Sequence, residues 1–199
     1  MPLRQTLLSL VFCTLAVPAL AQGGLSGPSS VEADLTPGDG LTDPQPRSDF
    51  PRNIAPGWFS WKDGLAEQRF RFNLDYLALG QWSNSNLGEG QAGGGIARFY
   101  GSLQATENGS LTFKVEHRHG YTTVPPSGFG FDIGYVGLPA SPFSDQGARL
   151  TNLYWRQRLL DGGATLTAGF LDVTDYVDVY ALGSPWTHFS NLVFSTGSG

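Results

Sequence analysis

Charged side chains recur at alternate positions in several segments of the chain. The first such segment is RFRFNLDYLALGQW, residues 69–82, in which Arg69, Arg71 and Asp75 are interleaved with phenylalanine, leucine and tyrosine. Side chains of a β-strand alternate between its two faces, so this spacing predicts one charged face and one apolar face. Charges gathered on one surface can orient or select passing solutes through their electric field.

The same alternation in later segments adds more charged residues to the polar face. The candidate lining residues are Arg69, Arg71, Asp75, Arg98, Lys114, Glu116, Arg118, Arg156 and Arg158. Two of these are acidic, so the predicted face is basic although the whole chain has a formal net charge of −5. Such a bias is typical of a channel wall, and solvated arginines on a soluble sheet are the alternative. His117 and Gln157 fall on the apolar face, which suits them only near an interface or against another subunit.

Three aspartates recur at every third position after the last predicted strand, and they allow three interpretations. The acidic and aromatic residues of this segment are Asp172, Asp175, Tyr176, Asp178, Tyr180 and Trp186. A calcium loop would need denser oxygen ligands and a terminal glutamate, and a glycosidase would need a second carboxylate motif. The third interpretation is an inward-folded loop whose acids face the basic wall and whose rings stack on sugars. We hypothesise that this segment is the constriction of a channel.

Other motifs in the chain give weak signals. Residues 88–93 fit G-x-G-x-x-G, but a strand follows where a dinucleotide site needs a helix. Residues 108–110, Asn-Gly-Ser, are explained as a tight turn. His117, His119 and His188 have no metal-ligand spacing with a cysteine, and no Ser-His-Asp or Cys-His signature is recognisable. We therefore expect no enzyme, no metal and no cofactor.

Period-two alternation predicts five strands and one preceding helix. The strands are expected over residues 69–82, 96–106, 111–121, 150–160 and 164–171. Before them, Trp58, Trp61 and Leu65 could share one face of a short helix over residues 57–68. Residues 22–56 are rich in Gly, Pro, Ser and Asp and are expected to be a flexible leader.

The connections between the predicted strands alternate between long and short, and another long one follows the fifth strand. Outer-membrane barrels have short periplasmic turns and long external loops, so the predicted fold class is all-β, an antiparallel transmembrane β-barrel with a short helix before its first strand. A soluble β-sandwich also has frequent turns but has no reason to sort them by length. It is kept as the alternative.

The N-terminus has the parts of a secretory signal. Arg4 precedes an apolar stretch from Leu7 to Val17, and cleavage is expected after Ala21, which makes residues 1–21 a signal peptide. Cys13 would be removed with it. The acidic balance excludes the basic footprint of a nucleic-acid-binding protein.

Three stretches resemble the carbohydrate-selective porins of Gram-negative outer membranes. They are NLDYLALGQW after the Trp-containing segment, LYWRQRLLDGGATLTAGFLDV, and DYVDVYALGSPWTHFSNLVFSTG. The resemblance covers roughly residues 57–199 and implies a 16-stranded barrel that passes sugars by diffusion. It also implies that Arg69, Arg71, Glu116, Arg156 and Arg158 line the pore. In general porins the loop after the fifth strand folds into the channel, which favours the third interpretation of the aspartate segment.

The function expected from this resemblance is passive sugar transport across the outer membrane of a Gram-negative bacterium. Its partners would be small sugars as diffusing solutes and outer-membrane lipid, and a homo-oligomer is compatible with it. Residues 69–199 would then hold only the first strands and loops of an incomplete barrel, because 16 strands need more than twice this length. The rivals are a soluble secreted or periplasmic β-sandwich that binds a ligand, and a small complete barrel that acts as an adhesin or anchor.

Overall fold

The computed structural model describes residues 30–35, 53–84, 87–172 and 191. These residues form three helices, five strands and one short 3-10 turn at Leu160–Gly162. In chain order the elements are α1 (Val31–Leu35), α2 (Pro56–Glu67), β1 (Phe70–Trp82), β2 (Gln91–Gln104), β3 (Gly109–Gly120), α3 (Pro126–Asp132), β4 (Gly147–Leu159) and β5 (Ala164–Phe170).

The five strands form one antiparallel sheet in which each strand pairs with its neighbour in sequence, in the order β1-β2-β3-β4-β5. The prediction of an antiparallel β fold with a short helix before its first strand is therefore confirmed. Within the described part of the chain, β1 pairs with β2 alone and β5 pairs with β4 alone. Short turns join β2 to β3 and β4 to β5 at one end of the sheet, and residues 83–90 and 121–146 connect the strands at the other.

The polarity of the two sheet faces is inverted relative to that of a soluble protein. The polar face is buried: Glu116 is 2% exposed and Arg98 is 6% exposed. The apolar face is open: Leu74 is 63% exposed and Phe170 is 58% exposed. Further exposed members of the apolar face are Phe99, Leu103, Leu111, Val115, Leu153 and Leu166.

Among the described residues, two segments lie against the polar face. Helix α1 lies against β1, β2 and β3, and the connection over residues 121–146, which contains α3, packs at the other end of the sheet. There Ala140 and Phe143 of the connection form a small core with Ile96 of β2, against which Leu77 and Leu79 of β1 pack. The burial of charged groups on this face therefore comes from the chain itself.

Helix α2 packs beside β1. Pro56 suits its first turn because proline lacks the N–H that would have no helical acceptor there. The Trp58 and Trp61 rings contact Phe72 with centroid distances of 6.0 and 5.8 Å, and Lys62 Nζ donates to Asn73 Oδ1 over 2.9 Å. None of the helices in the described residues is both long and apolar enough to cross a membrane.

Strand β2 begins earlier than its alternation predicts. Residues 91–95, Gln-Ala-Gly-Gly-Gly, were expected to belong to a linker but pair with β1 as far as Trp82. A Cβ at Gly94 would lie 3.0 Å from Pro126 Cδ, and one at Gly95 would overlap the hydroxyls of Tyr76 and Tyr121. Glycine is required at these positions because neighbouring atoms lie close on both faces of the strand. Composition alone does not distinguish such a packed glycine run from a flexible linker.

Two further segments differ from expectation in the described residues. Residues 31–35, within the expected leader, form α1, and residues 126–132, within the Pro/Gly-rich connection, form α3. Neither helix is long enough to show an apolar period in the sequence. Both are held by contacts with the polar face of the sheet.

Candidate functional site

The candidate site is the polar face, and cross-strand pairing assembles it. Asp75 of β1, Arg98 of β2 and Glu116 of β3 stand in register across three strands. The next row holds Asn73, Tyr100, Lys114 and Asn152. Residues in one row point to the same face and lie within side-chain reach of each other.

Asp75 is the centre of a hydrogen-bonded network on β1 and β2. Its Oδ2 accepts from Arg98 Nη2 over 2.5 Å and from Tyr100 OH over 2.9 Å. Asn73 Nδ2 donates to Asp75 Oδ1 over 3.2 Å and to Tyr100 OH over 3.0 Å. Each carboxylate oxygen therefore has a donor, as a largely buried charge requires.

Glu116 and Arg118 form a second ion pair one strand away. Arg118 donates to Glu116 Oε2 from Nε over 2.9 Å and from Nη2 over 2.6 Å. Lys114 is buried on the same strand. Both acids of the strand wall are thus held by arginines, so the face is a set of paired charges rather than a bare basic surface.

A third acid reaches the face from α1. Both oxygens of Glu32 accept from Tyr154 OH over 2.8 Å, and Thr112 Oγ1 donates to Oε1 over 3.4 Å. Arg156 Nη1 lies 3.6 Å from the same oxygen. Glu32 therefore links α1 to Thr112 of β3 and to Tyr154 and Arg156 of β4.

The structure brings together six of the nine predicted lining residues on the covered polar face: Asp75, Arg98, Lys114, Glu116, Arg118 and Arg156. The other three lie at its margin. Arg69 precedes β1 in a left-handed turn with φ 68°, and its carbonyl accepts from Gln104 N over 2.9 Å. Arg71 is exposed, and Arg158 Nη2 donates to the Glu107 carbonyl in the β2–β3 turn over 2.7 Å.

The predicted constriction falls almost wholly outside the described residues. Asp172 is exposed and lies two positions after the end of β5. Asp175, Tyr176, Asp178, Tyr180 and Trp186 are not among the described residues, so the constriction hypothesis stays a prediction. Asn191, further along the same segment, forms an isolated bridge with Pro139 of the β3–β4 connection.

Sequence reasoning missed Glu32 and did not select Tyr100, Tyr154, Asn73 or Asn152 as site residues. The alternation already placed the last four on the polar face, and their uncharged polar groups were the available signal. Glu32 had no such signal, because it lies in a segment without apolar periodicity.

The two residues that fitted the apolar face poorly lie toward its two ends. Gln157 faces Gly109 near the short turns and accepts from Trp155 Nε1 over 3.2 Å. At the other end, His117 Nδ1 lies 3.3 Å from His119 Nδ1, and His119 Nε2 lies 2.9 Å from Tyr76 OH. Both side chains therefore have polar neighbours on an otherwise apolar face.

Tyr121, just beyond the end of β3, joins the cluster formed by His117, His119 and Tyr76. Its hydroxyl is hydrogen-bonded to that of Tyr76. This hydrogen bond raises the pKa of Tyr121 above the ordinary 10.0, with smaller contributions from desolvation and from the charge of a tyrosinate at Tyr76. In the residues that the structure describes, no group of three or more His, Cys, Asp or Glu side chains is placed to hold a metal ion.

What the polar face offers chemically is a close array of hydrogen-bond donors and acceptors with charges fixed in pairs. Arginine, tyrosine, asparagine and carboxylate groups of this kind can donate hydrogen bonds to polyhydroxylated solutes and accept from them. No protein-family description matches the chain, and neither a curated protein nor a solved structure is significantly similar to it.

Proposed function

We propose that this chain forms part of the wall of an outer-membrane porin through which sugars diffuse passively. The observation that carries the proposal is the inverted polarity of the sheet, with leucine and phenylalanine exposed on one face and ion pairs covered on the other. A membrane barrel has this arrangement because its outer face meets lipid and its inner face meets water.

The distribution of aromatic residues on the apolar face supports the same proposal. Near the short turns, Phe70, Phe72, Phe99 and Phe113 contact one another with ring-centroid distances of 5.3 to 6.3 Å. Near the long connections, Tyr76 and Tyr121 lie with the two histidines. Aromatic side chains at both ends of an apolar band are typical of barrel strands at the two membrane interfaces.

In this proposal the connections take their usual sides of the membrane. The turns after β2 and β4 would face the periplasm, and the longer connections after β1 and β3 would be external. Further strands would continue the sheet from β1 and from β5, because backbone groups at an open edge find no partner in lipid. The resemblance to carbohydrate-selective porins supports a closed barrel of 16 strands.

Sugars are the proposed solutes because of the polar groups along the wall. A sugar hydroxyl both donates and accepts, and Tyr100, Tyr154, Asn73 and Asn152 offer both kinds of group on one face. Paired charges such as Asp75 with Arg98 give a strong local field without a large net attraction for ions. The wall therefore suits neutral polar solutes.

Fractionation and liposome swelling test the proposal. The full-length protein is expected in the outer-membrane fraction, with extraction that requires detergent, and purified protein in liposomes should admit glucose faster than a charged solute of similar size. Recovery as a water-soluble periplasmic or secreted protein without channel activity would overturn the proposal and favour a β-sandwich binding domain.

A further inference from the structure

We propose that residues 30–35 act as a resident plug inside the channel, held in place by Glu32. The term plug segment is used below for Ser30–Leu35, which contains α1. The inference rests on the proposed porin function and deepens it, because it concerns how the same polar face is closed to solutes. It assigns a role to a part of the chain that precedes every strand.

The plug segment lies on the polar face rather than beside it. Ser30 and Val31 are fully buried, although the helix that begins at Val31 has only five residues. Helix α1 lies against β1, β2 and β3. A helix of five residues is not stable in water through its own hydrogen bonds. Its contacts with the sheet must therefore stabilise it.

Glu32 supplies the specific part of this contact. Both of its carboxylate oxygens accept a hydrogen bond from the Tyr154 hydroxyl over 2.8 Å. Its Oε1 also lies 3.6 Å from Arg156 Nη1. Tyr154 and Thr112 are themselves almost wholly buried. A hydrogen bond to an ionised acceptor is stronger than one between neutral groups, particularly where water is excluded.

The docked carboxylate occupies groups that a solute would otherwise use. Tyr154, Thr112 and Arg156 are the donors that this part of the wall would present to sugar hydroxyls or to an anion. Solute passage along this wall therefore requires the plug segment to leave or to shift. Glu32 also places a negative charge beside Arg156, so its presence should disfavour anions.

Cross-linking tests whether the plug segment docks in the membrane. Val31→Cys combined with Thr112→Cys leaves Glu32 in place, and treatment with a short bifunctional thiol reagent in intact outer membranes should give a linked pair of peptides after tryptic digestion. The control combines Val31→Cys with Leu111→Cys, because Leu111 is the neighbour of Thr112 on the opposite face and is exposed. Cys13 lies in the segment expected to be cleaved, so it adds no thiol. Equal linking of the two pairs would overturn the docking.

Conductance of the full-length protein in planar bilayers tests the closure. Deleting Ser30–Leu35 should raise conductance, and Tyr154→Phe should raise it in the same direction, because losing a hydrogen bond to a charged group shifts an equilibrium by about tenfold. Glu32→Gln should also move ion preference toward anions, whereas Glu67→Gln on exposed α2 should change neither property. Unchanged conductance in the deletion variant would overturn the plug.

The two tests separate this inference from the porin proposal. If the wild type conducts but Val31→Cys and Thr112→Cys give no specific cross-link, the plug is rejected and the porin proposal stands. A specific cross-link in a protein that conducts in none of its variants rejects the porin and, with it, the role of the plug segment in transport.

Discussion

At the scale of the residue, the polar face is defined by acids that each satisfy several donors. Asp75 accepts from Arg98, Tyr100 and Asn73, and Glu116 accepts twice from Arg118. Because these groups are covered, their mutual pairing replaces the water that would otherwise solvate them. Removing one member of a buried ion pair therefore destabilises the fold by more than the net contribution of the pair, because the remaining charge stays buried.

Asp75→Asn should lower the free energy of unfolding by about 3 kcal/mol, since it removes the carboxylate charge to which the buried Arg98 guanidinium donates. Denaturant titration of the purified protein measures the change. Glu67→Gln, on the exposed end of α2, should stay within about 0.5 kcal/mol of wild type. A similar loss in both variants would contradict the importance of the Asp75–Arg98 pair.

Tyr76→Phe should lower the pKa of Tyr121 towards its ordinary value, because the variant lacks the hydroxyl to which the neutral Tyr121 is hydrogen-bonded. In the wild type, the folded-state pKa lies above the unfolded value of about 10. The stabilisation by this bond is therefore present below pH 10 and is lost as pH rises through the folded-state pKa. Ultraviolet titration of tyrosinate, with Tyr121→Phe subtracted to isolate the signal, measures the shift, and Tyr135→Phe should leave it in place.

At the scale of the element, strand β2 shows how glycine permits packing across the sheet. Gly101 lies opposite Phe72 on one side and Phe113 on the other. The phenylalanine rings on this face contact one another across β2 because no side chain at Gly101 stands between them. The aromatic cluster on the apolar face thus depends on a residue without a side chain.

Gly101→Ala should destabilise the protein by about 1–3 kcal/mol, the usual cost of overpacking. Its new Cβ would lie 2.7 Å from the Arg71 carbonyl oxygen and 2.9 Å from Phe113 Cζ. Gly80→Ala is the matched control, because it lies in β1 with no atom within 4 Å of the added Cβ. Unfolding titrations of the two variants should therefore separate clearly, and equal stabilities would show that the cluster adapts without cost.

Alternation predicted most of the sheet, and contacts distant in sequence explain where it failed. Strands β1, β3 and β5 begin and end within about three residues of expectation, an ordinary uncertainty for element ends, since their apolar and polar residues alternate without interruption. The glycine run before Ile96 hid the start of β2, because its requirement comes from Pro126 and Tyr121. Six residues of the polar face were predictable from alternation alone, whereas Glu32 owes its place to donors on β3 and β4 that lie about eighty or more positions away.

At the scale of the whole molecule, the distinguishing property is a sheet whose open face is apolar and whose covered face is charged. In water such a sheet would hide its apolar side. A surrounding lipid phase reverses this preference, so the two environments give opposite expectations for a charge placed on the open face.

Leu74→Arg should lower stability by about 2–4 kcal/mol in a lipid bilayer, because it places a cation on the apolar face between the two aromatic clusters. Leu103→Arg lies on the same face near the short turns and should cost at most about 1 kcal/mol. Unfolding titrations in vesicles compare the two variants. Equal and small effects, within about 0.5 kcal/mol, would place the face in water.

The register shift opposite Lys114 and Val115 decides which face each residue of the first part of β4 occupies. Asn152 pairs with Lys114 and Leu150 with Val115, so Thr151 is the extra residue of a β-bulge in β4. It brings Arg149 opposite Glu116 on the polar face and leaves Leu150 exposed on the apolar face. Strict alternation from Leu153 would have exchanged these two residues between the faces.

The bulge has a consequence for how the length of this strand can change in evolution. Deleting Thr151 would remove the extra residue and leave Leu150 and Arg149 on their present faces in a regular ladder. A deletion elsewhere in β4 would exchange the faces of the residues between it and the bulge, much as a single-base deletion shifts a reading frame. Single-residue deletions through β4 should therefore be tolerated best at the bulge and less well with increasing distance from it, because more residues then change face. A deletion scan scored by the amount of folded protein in the membrane would measure this.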